Sequence, residues 1–193
     1  NAICAAMLGG DEYPSTAIGI NLPNADWIRA EHGSKSITIS NITDAYNKAA
    51  HGSGFKEEFV IDAETLSLIE RYGDVCDDLH TDLHECLGHG SGQLKGYGNT
   101  IEEARADLFG LYYIADQKLI DLGLVPDSEA YKSQYYTYIM NGLMTQLIRI
   151  QPGHQIEEAH MRNRALIAHW CYEQGDVIQL ERRDGKTYVR ISD

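Results

Sequence analysis

Between Asp62 and Gly92, apolar residues Leu66, Ile69, Val75, Leu79, Leu83 and Leu87 recur mostly three or four positions apart, the period of one buried helix face. Asp62 is suited to cap the start, Gly73 interrupts the run, and the glycines from Gly88 to Gly92 close it. The pattern predicts one long helix or two in succession. Thr100-Ile101-Glu102-Glu103 has the form of a capping box and predicts a helix through Leu108, Leu111, Ile114 and Leu119 to Gly123. Asp127 predicts the start of another helix running to about Ile150, where Gln151-Pro152-Gly153 stops it; residues 155–174 predict the next, ending before Gly175.

The two ends read differently. Over residues 1–35, Gly9-Gly10, Tyr13-Pro14, Leu22-Pro23-Asn24 and His32-Gly33-Ser34 break any period and predict a loop-rich opening. Residues 36–40 alternate and are β-branched, which predicts a short strand before a helix beginning near Asp44; His51-Gly52-Ser53-Gly54 is a break. Residues 177–180 and 187–191 flank Asp184-Gly185, a hairpin-turn signal. Such a hairpin is marginal alone in water, so it is expected to pack on the helices or on further chain. No repeat or domain boundary is visible. The expected fold class is mainly α with minor β, a single domain over 1–193 ending in a β-hairpin.

Composition narrows the function. With 193 residues, 43% hydrophobic and 23% charged, the chain has a globular profile. Sixteen Lys and Arg against 29 Asp and Glu give a net charge of −13, which argues against nucleic acid and membrane surfaces as partners. No stretch approaches the roughly 18 to 20 apolar residues of a membrane-spanning helix. Cys4, Cys76, Cys86 and Cys171 show no CxxC spacing and read as reduced thiols, so a cytoplasmic location is expected. The chain opens Asn-Ala-Ile-Cys without an initiator Met, as a processed or excised piece would.

The chemistry concentrates in His84-Glu85-Cys86-Leu87-Gly88-His89. Two imidazoles and a carboxylate on one helix suit a zinc hydrolase, which needs neutral nitrogens for the metal and a base beside its water. The histidines stand at i and i+5, about 140° apart on a regular α-helix, so convergence needs a π-bulge or a widened turn. Gly88 is the residue type that tolerates one. Spacing alone leaves an alternative open: His80 and His84, at i and i+4, share a face, and His89 then only caps the helix. Downstream, Glu103 is the candidate third ligand, and Asp107, one turn on, is placed to hold a ligand imidazole. The competing reading has Glu103 serving the helix start as the third residue of the Thr100 capping box. Tyr131, Tyr135, Tyr136 and Tyr138 line either a peptide groove or, as aromatic residues at helical spacing more often do, the core.

The run His84 to His89 followed by Gly90-Ser91-Gly92, with Glu102-Glu103-Ala104-Arg105-Ala106-Asp107 downstream, resembles the paired signature of the dipeptidyl peptidase III family of zinc exopeptidases. The resemblance extends to Gly19-Ile20-Asn21-Leu22-Pro23-Asn24 and to Ala159-His160-Met161-Arg162-Asn163-Arg164. It implies one Zn2+ per chain on His84, His89 and Glu103, with Glu85 activating the metal-bound water and Glu102 and Asp107 supporting the ligands from behind. It further implies that Asn21 and Asn24 hold the amino end and backbone of a short peptide with a free amino terminus, that His160 stabilises the oxyanion, and that Arg164 lies nearby in the cleft. The family is two-lobed and longer, so the resemblance implies a helical zinc-peptidase lobe whose partner is a second lobe of the same protein. The segment joining His89 to Glu103 is shorter here than in many members, and nothing here resembles the family's upstream glutamate and tyrosine. Two rival functions remain: another zinc endopeptidase or aminopeptidase, and a zinc-containing peptide-binding module inactive in isolation.

Overall fold

A computed structural model describes residues 18–23, 25–92 and 98–192. The Asp62 carboxylate accepts from the Thr65 amide at 2.8 Å and starts helix α4, Ala63–Leu83. Gly73 does not interrupt α4, and a Cβ there would meet Ile69, Ser133 and Lys56 only at 3.6 to 4.0 Å. At its end the helix widens into a π-helical turn, His84–Gly88, followed by one 3-10 turn, His89–Ser91.

The next helix, α5, spans Asn99–Tyr113 with Gly98 at its cap position and no side-chain cap, so the Thr100 capping box does not form. The chain breaks after Tyr113 and restarts as α6, Gln117–Asp121, where the Asp116 side chain accepts from the Lys118 amide. The Asp127 carboxylate binds the Glu129 amide and the Tyr72 hydroxyl, and the central helix α7 runs over Ala130–Leu143, with a 3-10 turn, Thr145–Arg149, behind it. Helix α8, Ala159–Gln174, begins later than its apolar period suggests, because Glu158 caps it by accepting from the amides of His160 and Met161.

The opening segment is more regular than its glycines and prolines suggest. Strands β1, Gly19–Leu22, and β2, Lys35–Thr38, pair antiparallel around α1, Asp26–His32; α2, Ser40–Ala50, starts four residues earlier than expected, and a short α3, Phe55–Phe59, precedes α4. At the other end β3, Ile178–Arg183, and β4, Lys186–Ile191, form the expected hairpin about Asp184 and Gly185, both at positive φ. Its Ile178 and Val189 are buried with Ile139 and Leu143 of α7 and Ala168 of α8, so the hairpin is held by the helices. Fold class is mainly α with minor β.

Two further clusters set the geometry of the site. Tyr72, Cys76 and Leu83 of α4 pack with Ile114, Leu119, Val125 and Ala130, which fixes α4 to the α5–α7 layer. Ala104 of α5, Tyr138 of α7 and Ile167 of α8 meet directly behind the His-Glu run. Close helix contact is required there: a Cβ on Gly88 would lie 2.7 Å from the Ala106 Cα, and one on Gly142 would lie 2.5 Å from both the Ala168 Cβ and the Arg164 carbonyl oxygen.

Candidate metal centre

The π-turn solves the spacing problem posed by the two histidines. The His89 amide reaches the His84 carbonyl, an i to i+5 bond, and the imidazoles come together with ring centroids 4.7 Å apart. The Glu85 carbonyl also accepts from Asn21 Nδ2 at 3.2 Å and from Ser36 Oγ at 3.2 Å. Gly88 has φ −57° and ψ −84°, outside the helical region, and it also allows close approach to α5.

His84 Nδ1 donates to Asp107 Oδ1 at 2.7 Å, and His89 Nδ1 donates to Glu102 Oε1 at 3.1 Å. Each ring therefore turns its Nε2 inward. The two Nε2 atoms are 3.0 Å apart, and Glu103 Oε2 lies 3.2 Å from one and 3.3 Å from the other. That oxygen is buried and makes no well-directed hydrogen bond despite its neighbours. Three possible ligand atoms thus face one point. Ligand atoms at zinc–nitrogen lengths of about 2.0 to 2.1 Å in a tetrahedron stand about 3.3 Å apart, so the donor set fits zinc in both chemistry and size. Without a cation the cluster holds protons instead. Burial disfavours charge on His84, but hydrogen bonds to Asp107 and Glu103 outweigh it and raise the imidazole to about 9. Glu103, opposed by burial, is held far below the usual carboxylate range by His160, His84 and His89.

Glu85 lies beside this point on the same turn. Its side chain is buried, Oε2 lacks a partner, and burial raises its pKa, with His84 and His89 opposing. Strand β1 walls it in: a Cβ on Gly19 would be 2.8 Å from Glu85 Oε1. His160, at the start of α8, sets Nε2 3.1 Å from Glu103 Oε2 and Nδ1 2.7 Å from Glu158 Oε1; those two carboxylates raise it to about 10, so it is a cationic donor at neutral pH.

The remaining expected residues divide. Asn21 is buried at the site's edge, but its amide is spent within the chain, donating to Ser36 Oγ at 2.7 Å and to the Glu85 carbonyl and accepting from Arg29. Arg164 lies one turn along α8 with its guanidinium 5.9 Å from the Tyr138 ring centre. Asn24 lies outside the described residues. Tyr135, Tyr136 and Tyr138 are core residues whose hydroxyls bind the Leu111 carbonyl, the Val189 carbonyl and Asp107. Sequence reasoning missed three supports. Arg29 donates to the His89 carbonyl at 2.7 Å and the Pro23 carbonyl at 2.6 Å. Arg105 grips Glu102 through Nη2 at 2.6 Å and Nε at 3.2 Å and reaches Ser91 Oγ at 2.9 Å. Glu158 braces His160, a role signalled only by its cap position before α8.

Two inward imidazoles and a carboxylate form a group that could hold a metal ion, with a second, buried carboxylate beside them. Residues 13–96 match the model of Peptidase family M49. The chain is 25% identical to Dipeptidyl peptidase 3 of Nematostella vectensis over 90% of this chain and 29% of that protein. It is 24% identical to Dipeptidyl peptidase 3 of Mus musculus, again over 90% and 29%. The solved structure of DPP III from Caldithrix abyssi shares the fold with a TM-score of 0.64 and 28% identity, over 92% of this chain and 33% of that one. The resemblance to the dipeptidyl peptidase III family therefore holds in sequence and in fold, and the chain spans about a third of the length of the relatives it matches.

Proposed function

We propose that this chain is the zinc-bearing lobe of a metallopeptidase that releases dipeptides from the free amino end of short peptides. The observation that carries the reading is the convergence of His84 Nε2, His89 Nε2 and Glu103 Oε2 to within 3.3 Å of one another, the outer nitrogens being already committed to Asp107 and Glu102. His84, His89 and Glu103 would hold zinc, which when bound would supply Lewis-acid polarisation of the scissile carbonyl and a more acidic water. Glu85, buried and with Oε2 unpartnered, takes the proton of the attacking water and delivers it to the leaving amine. His160, half-exposed and braced through Nδ1 by Glu158, turns Nε2 toward the site and donates to the developing oxyanion. In this reading Asn21 and Asn24 hold the amino end and backbone of the peptide, Asn21 by exchanging its partners within the chain, and Arg164 lies nearby in the cleft. Free thiols at Cys76, Cys86 and Cys171 suit a cytoplasmic setting, and no helix among the described residues is long and apolar enough to cross a membrane.

A second reading rests on the chain's share of its relatives' length: the cleft is completed by a second lobe, and this lobe alone binds zinc and peptide without turnover. The zinc-loaded chain, given matched peptides with free and with acetylated amino ends, separates the possibilities. Dipeptide release from free ends only, lost in Glu85→Gln by about 10² to 10⁴-fold with zinc retained, is the expected result. Equal cleavage of blocked peptides would replace it with an endopeptidase, and zinc binding without any cleavage would leave the binding module.

A further inference from the structure

Asp107 is held by side chains from three separate elements, α4, the π-turn and α7. Its Oδ1 accepts from His84 Nδ1 at 2.7 Å and from His80 Nε2 at 3.1 Å, and its Oδ2 accepts from the Tyr138 hydroxyl at 2.7 Å. All four side chains are buried, and Asn163 behind them is fully buried. Room for the His80 ring comes from Gly110, where a Cβ would stand 2.8 Å from His80 Cε1.

Counting protons orients this network. Tyr138 has one hydroxyl proton but lies within reach of two acceptors, Asp107 Oδ2 and Asn163 Oδ1, the latter at 2.9 Å. Asn163 Nδ2 meanwhile is buried with no partner. Exchanging the amide's nitrogen and oxygen, which have the same shape, removes the conflict: Asn163 donates to Tyr138, and Tyr138 donates to Asp107. Burial, with the charge of Asp107, pushes the Tyr138 phenol far above its ordinary range, so it remains a donor. The carboxylate is then held from three directions and cannot rotate away from His84. A free Asp107 would let the ring flip or take the other tautomer, turning the inward nitrogen out of the cluster.

We propose that Tyr138, backed by Asn163, is a positioning residue for the metal centre: it locks Asp107 so that the His84 Nε2 lone pair faces His89 and Glu103. The inference rests on the zinc reading above. Its test is the zinc dissociation constant of the whole chain, measured by competition with a chromogenic chelator at fixed pH, for wild type, Tyr138→Phe, Asn163→Ala, Asp107→Asn and the Tyr138→Phe/Asp107→Asn double variant. Tyr138→Phe keeps the ring and should weaken zinc by about 10 to 100-fold; Asn163→Ala should weaken it by a smaller factor. The double variant should bind zinc no worse than Asp107→Asn alone, since Tyr138 acts through Asp107. A purely structural tyrosine would lower the unfolding midpoint of the metal-free chain and leave the dissociation constant alone. Wild-type affinity within twofold in both Tyr138→Phe and Asn163→Ala, or losses that add in the double variant, would overturn the proposal while the zinc reading stands. A wild-type chain that takes up no zinc would overturn both.

Discussion

Replacing Gly88 by alanine should open the metal centre from behind. The new Cβ would lie 2.7 Å from the Ala106 Cα, 2.8 Å from its Cβ and 3.0 Å from its carbonyl oxygen. Carbon atoms in good contact stand about 3.5 to 4.0 Å apart, so the π-turn and α5 must separate by about 1 Å. No flexible side-chain end is available to yield; two of the three obstructing atoms are backbone. Overpacking of this kind costs about 1 to 3 kcal/mol, against the roughly 1 kcal/mol that alanine gains over glycine in a helix. The larger effect falls on the site, because the turn carries His84 and Glu85 and leads into His89, whereas α5 carries Glu102, Glu103 and Asp107. Metal–ligand distances tolerate about 0.2 Å, so a 1 Å displacement should remove Glu103 from the set and weaken zinc by at least about 100-fold. Gly90→Ala is the internal control, since its Cβ would meet only the Glu85 carbonyl oxygen at an ordinary 3.5 Å. Chelator competition gives the affinity and urea unfolding the stability of both variants. If Gly88→Ala matched Gly90→Ala in both measurements, the close-approach argument would be refuted.

Two other consequences follow from the same geometry. Asp62→Ala removes the cap that starts α4 and should cost about 1 kcal/mol in urea unfolding, with no change in zinc affinity because the site lies at the other end of the helix; an unchanged midpoint would contradict the capping role. For the metal-free chain, the His84 imidazole is raised to about 9 from its ordinary 6.5, so its protonated form stabilises the fold fully below about pH 6.5 and this contribution is lost as pH rises through 9. Zinc takes the place of that proton, so the unfolding midpoint should fall between pH 6.5 and 9.5 without zinc and hold steadier with it; parallel profiles would count against the shared site.

What was legible in the sequence is what depends on neighbours in the chain. The i and i+5 histidines require a widened turn and obtain one, Asp62 caps α4, and Asp184-Gly185 turns the final hairpin. The misses are tertiary. Strand β1 is four residues long and is held by pairing with β2, with Asn21 and Arg29 tying it to the π-turn, none of which leaves a local period. Thr100 to Glu103 has the pattern of a capping box, yet Glu103 faces three imidazoles supplied by other elements, which offer its carboxylate more than one backbone amide does. His80, Tyr138 and Asn163 come from three different helices and meet only around Asp107, so no spacing rule could bring them together.

The central claim is that His84, His89 and Glu103 hold one zinc. Elemental mass spectrometry on protein purified without chelator or affinity-tag metal tests it most directly, on the wild type beside His84→Ala and Glu103→Ala. The account predicts close to one zinc per wild-type chain and little in either variant. A wild-type chain empty of zinc even after incubation with the metal, or His84→Ala retaining a full equivalent, would contradict it.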